Sequence, residues 1–293
     1  MLNYIEFKEK FLSKLEELVS EEAMYEISEK TFHKINRDME AVSIVLKENK
    51  EGTGYGQIHY FENLYSDYKN GLSVDEVVRT IMDSLKENKL EKGNFDKVFS
   101  YEECREKIAA QVISRERNEA ILEECVHRDI LDLALVYRII LRSDDQGMMS
   151  TLITKEIADN WGVNEEELYK VALKNTKASS PYRISNMYEM IFGCKGEGMP
   201  PVFVLAKESG GFGASAIAYP EEIKEAKELF KGNFFIFPSS QHDLVLVPYD
   251  PLSVETHKEM VKDINKEAVD IADWLSDSVY YYDCESEEVK LAG

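Results

Sequence analysis

The chain has 293 residues, 44% of them hydrophobic, enough to bury one large core or two moderate ones. Its formal charge of −21 disfavours nucleic-acid backbones and anionic membranes as direct partners, because both need a cationic face. No uncharged apolar run reaches the roughly 18 residues that cross a bilayer, and the N-terminal MLNYIEFKEKFLSKLEEL carries acids through its apolar positions, so it reads as an amphipathic helix and not as a signal peptide.

Residues 3–19 take a helical period, with Tyr4, Phe7, Phe11, Leu15 and Leu18 on one face. Residues 24–34 alternate as an exposed strand, and AVSIVL at 41–46 makes a better one. The glycine-bearing 49–56 predicts a turn, and 57–61 a returning strand. Helices follow over 62–70 and from 73, where Ser73 and Glu76 form a capping box. Residues 93–100 are a connection with a short strand at 95–99. The spacing over 101–114 predicts a helix, while 116–124 is charged and fits either state. LDLALVYRIIL at 131–141 is the strongest strand of the first half, and 148–154 returns from the turn at 143–147. Gly162 stops a helix over 155–161, Asn164 caps the next, 178–181 is a loop, and a short helix lies near 185–192. Three glycines and two prolines in 193–201 mark a boundary between an N-terminal α+β region, 1–192, and a C-terminal one, 202–293.

The second region states its pattern most clearly. VFVLA at 202–206 and 214–219 are apolar runs separated by Gly210, Gly211 and Gly213, which predicts a hairpin. Pro220 opens a helix that Gly232 ends. Residues 234–237 and 244–247 are further strands, apolar at every position and so covered on both faces. Ser253 caps a helix carrying Met260, Val261, Ile264 and Ala268, SVYYYD at 278–283 is a last strand, and the final ten residues are polar and frayed. Strand, turn, strand, helix recurs at 41–70, 131–161 and 202–231. The class is α+β, mostly antiparallel sheets built from hairpin-then-helix units with helices packed on them.

Several phrases in order, DLALVYRIIL at 132–141, EEELYKVALKNT at 165–176, FVLAKESGGFGASAIAYP at 203–220, FIFPSSQHDLVLVP at 235–248 and LSDSVYYYD at 275–283, resemble a bacterial family, domain of unknown function family 5688. The resemblance implies one integrated unit in a bacterial cytoplasm and brings no catalytic residues with it. The cysteines, Cys104, Cys125, Cys194 and Cys284, form no Cys-x-x-Cys pair and fit a reducing compartment.

The most chemical stretch is the turn at 238–243. Ser239, Ser240, His242 and Asp243 there invite a nucleophile–base–orienter reading. A histidine two or three residues from a serine in a tight turn seldom faces its oxygen, however, and triads are assembled from separate segments. Turn chemistry explains the same residues. The loop with Gly211 and Gly213 follows a strand, as phosphate loops do, but it leads to no Lys-Ser/Thr. Tyr280 and Tyr282 are candidate anchors for a partner. The five histidines show no metal-ligand spacing, so no metal or cofactor is expected. Three functions follow: a cytoplasmic non-catalytic interaction or regulatory module with a protein partner, a hydrolase-like enzyme at 238–243, and an acidic nucleic-acid mimic. An apolar surface patch, a polar pocket or an acidic ridge distinguishes them.

Overall fold

Helix Tyr4–Glu22 places Phe7, Phe11, Leu15 and Val19 on one buried stripe. The stripe packs with strand residues Val42 and Ile44, with Phe61 and Leu64 of helix Phe61–Lys69, and with Val77, Val78 and Ile81 of helix Val74–Glu87. The strands beneath are β1 (Tyr25–Lys34), β2 (Arg37–Leu46) and β3 (Gly56–Tyr60), in that order across the sheet. Ser73 and Glu76 exchange the capping-box bonds, Ser73 N–H to Glu76 Oε2 at 2.7 Å and Glu76 N–H to Ser73 Oγ at 3.2 Å. This computed structural model describes residues 1–22, 25–46, 56–87, 100–144, 147–238 and 240–293. Most of the turn predicted at 49–56 and the short strand at 95–99 lie outside them.

The chain divides into two compact units, Met1–Lys34 with Asp38–Phe95, and Ile35–Arg37 with Asp96–Gly293. The division falls near residue 95 and not at 193–201. Those nine residues instead join β8 (Tyr182–Asn186) to β9 (Phe203–Lys207), which pair antiparallel within one sheet.

The second unit holds two antiparallel sheets. In the first, the long β6 (Leu133–Asp144) is flanked on one side by β4 (Ile108–Ser114), and on the other by β5 (His127–Ile130) and β7 (Gly147–Leu152). Leu133, Leu135, Tyr137 and Ile139 point into the main core, while Ala134 and Val136 meet Ile113, Ile121 and Leu122 behind it. Burial on both faces is why this strand reads as one continuous apolar run. The second sheet has the order β13 (Glu288–Leu291), β12 (Tyr280–Asp283), β10 (Phe234–Phe237), β11 (Asp243–Pro248), β9, β8. Its inner face carries Leu205, Phe234, Ile236, Leu244, Leu246, Tyr280 and Tyr282. Its outer face carries Phe235, Phe237 and Val279, covered by Val261 of helix Val254–Ala268 and by Ala292.

Four local expectations change. Residues 101–114 are helical only over Tyr101–Cys104 and the 3-10 turn Arg105–Lys107. Then Ile108, Ala110 and Val112 alternate into the core as β4, a period of two that the short run of small residues concealed. The predicted strand at 214–219 is instead a buried 3-10 helix, Gly213–Ala218, whose small side chains let it pack against β4, β9 and β11. The helix from Pro220 breaks into Pro220–Lys224 and Lys227–Phe230 and ends on Lys231 in the left-handed conformation, φ 55°, one residue before Gly232. The C-terminal residues are not frayed: Glu288–Leu291 pairs with β12 and edges the sheet. Among the described residues, no helix is long and apolar enough to cross a membrane.

Candidate functional site

The two loops singled out in the sequence do meet. Ala214 N–H bonds the carbonyl of Gln241 at 3.1 Å. Gly213 lies so close to His242 that a Cβ would fall on the histidine's carbonyl oxygen. Gly213 is therefore required by close approach, whereas Gly210 and Gly211 supply positive φ angles of 73° and 77°. Ser239 lies outside the described residues. Ser240 Oγ accepts the His242 backbone N–H at 2.9 Å, an ST-turn. The His242 ring is about half exposed and turns to Asp273, Nε2 to Oδ1 at 3.2 Å. Gln241 donates to the same Asp273 oxygen and accepts from Gln111, which in turn accepts from Arg138 at 3.0 Å. Asp243 opens β11, where burial raises its carboxyl above the ordinary range and the neighbouring His242 opposes that shift. Ser240 is thus spent on backbone, and Gln241 and His242 on a network with Asp273.

Tyr280 and Tyr282 cannot anchor a partner. They are 0% and 1% exposed and point into the core, where Tyr280 OH donates to Asp132. The alternation of the strand turns the middle ring, Tyr281, to the outer face beside Val247 and Tyr249. Among the described residues, no three of His, Cys, Asp and Glu are grouped as metal ligands.

The site that sequence reasoning missed lies on the outer face of the six-stranded sheet. Helix Val254–Ala268 covers only part of that face, and beside it runs a groove of about 670 Å³. Phe237, Val245 and Val247 form its floor, Met260, Val261 and Ile264 one wall, and Met187, Tyr188, Pro200 and Val202 the other. Ile264 is 45% exposed. Ile191 and Phe192 follow Met187 and Tyr188 by one turn on the same helical face and are 64% and 69% exposed, which extends the apolar wall. The signal was present in the sequence as MYEMIF and as the Met260–Ile264 pair, but an apolar row on a helix announces burial whether or not something covers it.

One end of the groove is polar. Ser253 Oγ donates its proton to the Asp250 carbonyl at 2.8 Å and sits 3.1 Å from His257 Nδ1. Which of the two ring nitrogens of His257 donates depends on its tautomer. The imidazole rests between Phe235 and Phe237, at 5.1 and 5.2 Å between ring centres. Burial depresses its pKa below the usual histidine value, with Asp250 opposing.

The fold is α+β, and the open outer face of its six-stranded sheet carries a concave apolar groove. The chain belongs to the family of unknown function DUF5688, whose model matches residues 4–284. No curated protein and no solved structure matches it.

Proposed function

We propose that this chain is a non-catalytic binding module of the cytoplasm that engages a protein partner through the groove beside helix Val254–Ala268. The apolar groove itself, with its exposed rim, carries the reading. Soluble proteins seldom leave a contiguous apolar face uncovered unless something binds there. The four free thiols, two of them buried, support a reducing compartment. The acidic surface supports a cationic partner and opposes direct contact with nucleic acid.

The test uses a double variant, Met260→Glu with Ile264→Glu. Both side chains are already partly exposed, so the fold tolerates the change, and circular dichroism checks this. Proteins retained by the wild-type chain are purified and titrated back by calorimetry. At least one is expected to bind the wild type and to lose tenfold or more in affinity for the variant. Binding that survives the two glutamates unchanged, or a wild-type bait that retains nothing, sinks the reading.

A further inference from the structure

The groove restricts the shape of what fills it. Its floor strand β11 is hydrogen-bonded on both sides, to β10 and to β9. Over Val245 and Leu246 both edges of its backbone are already paired, so strand addition is closed along that part of the floor. An extended peptide laid on Val245 and Val247 would bury its own N–H and C=O groups unpaired, at about 1–3 kcal/mol for each. A helix satisfies those groups internally. The width agrees. Between helix Val254–Ala268 and the wall at Met187–Phe192 lie β11 and β9, roughly 10 Å of sheet at about 4.8 Å per strand, which matches the ~10 Å diameter of a helix with its side chains.

The charge of the rim is one-sided. At 100° per residue, Asp263 and Glu267 project next to the Met260–Ile264 row, whereas Lys258, Lys262 and Lys266 project from the far side. Lys258 is held there by Glu255 and the Gly293 carbonyl. Asp263 and Glu267 are exposed and have no ion pair among the described residues. At the polar end, Asp250 lines the groove, its Oδ1 accepting the Leu252 N–H. Acids and acceptors along an apolar trough complement lysine and arginine donors.

We propose that the groove is filled by a basic amphipathic α-helix of a protein partner, lying beside helix Val254–Ala268 as the second helix of that layer. Its apolar face covers Val245, Val247 and Ile264, and its cations meet Asp263 and Glu267. This rests on the groove being a binding site, and the test separates the two.

The probe is a fluorescein-labelled amphipathic peptide of about 18 residues, five turns of helix, with leucines on one face and lysines on the other. Two analogues accompany it, one with glutamate for every lysine and one of the same charge interrupted by prolines. Anisotropy is measured with the full chain. The basic helix is expected to bind, and to bind at least tenfold more weakly to Ile264→Glu and to the pair Asp263→Lys, Glu267→Lys. The proline-interrupted and glutamate peptides are expected to bind at least tenfold more weakly to the wild type. Equal binding of the proline peptide means that charge alone attracts it, and equal binding of the glutamate peptide means that the rim does not select. Either result overturns the basic helix and leaves the groove reading standing. If no peptide binds and the partner experiment also fails, both fall. Sedimentation of the chain alone completes the test: a dimer abolished by Ile264→Glu would assign the groove to a second copy and overturn the proposal.

Discussion

Lys207 shows what a single side chain can cost when its surroundings are only half suited to it. It lies at the end of β9, where burial pushes its ammonium down to about 8. Among the described residues no carboxylate pairs with it, and the Tyr182 ring, 5.6 Å from Nζ, is its recorded cation contact. At pH 7 the folded chain therefore holds a poorly solvated charge that the unfolded chain does not. Lys207→Met should raise the unfolding free energy at pH 7 by about 1–3 kcal/mol, since one pKa unit corresponds to about 1.4 kcal/mol. The sign reverses the usual ion-pair pattern. The folded pKa lies below the unfolded value of 10.5, so between about 8 and 10.5 the unfolded state binds more protons and wild-type stability rises with pH. The wild-type and variant curves should converge across that window in urea titrations. Parallel curves would mean that the ammonium is solvated or paired in the folded state.

At the scale of elements, the sequence was legible wherever one side chain type or one period decided the outcome. Asn164 caps its helix through Oδ1 to Glu167 N–H at 3.0 Å, and Gly162 stops the preceding one with φ 68°. β6 and β10 announced themselves as unbroken apolar runs because both of their faces are buried, and β11 reads the same way although only Leu244 and Leu246 are buried and Val245 and Val247 floor the groove. The segment 213–218 was not legible, because its conformation is imposed by neighbours. It lies along β4, whose outer edge would otherwise present unpaired backbone. Ser215, fully buried, accepts from Val112 N–H at 3.2 Å and donates to the Ala110 carbonyl at 3.1 Å, closing that edge with one hydroxyl. Nothing local in GASAIA encodes this partner, which lies more than a hundred residues earlier. The candidate site followed the same rule. The serine and histidine of the 238–243 turn were visible as residue types, but only the fold shows that the His242 ring turns to Asp273. Ser215→Ala should leave a buried N–H and a buried C=O on β4 unmatched and destabilise the second unit by about 1–3 kcal/mol. Guanidinium denaturation measures this, and an unchanged midpoint would show that β4 needs no closure at that edge.

Over the whole molecule, a charge of −21 makes two opposite demands on salt. Excess acid repels itself, and the folded state brings those charges closer together than the unfolded chain does. Screening should therefore stabilise the fold: between about 0.05 and 0.5 M NaCl the Debye length falls from roughly 14 to 4 Å, short of most distances across a domain. The described ion pairs work against this trend but weakly, since most join exposed groups such as Arg183 with Glu208 and Lys224 with Glu287. Scanning fluorimetry should show the melting temperature rising over that range. A cationic helix in the groove responds the other way, because the attraction of Asp263 and Glu267 is screened while its contact with Val245, Val247 and Ile264 is not. Its affinity should fall with salt and then level off at the apolar contribution, a plateau that Ile264→Glu removes and the paired change of Asp263 and Glu267 to lysine leaves in place. A melting temperature that falls with salt would show that local pairing, and not net repulsion, dominates this surface. Affinity that falls to nothing at high salt would show that the apolar floor contributes no binding.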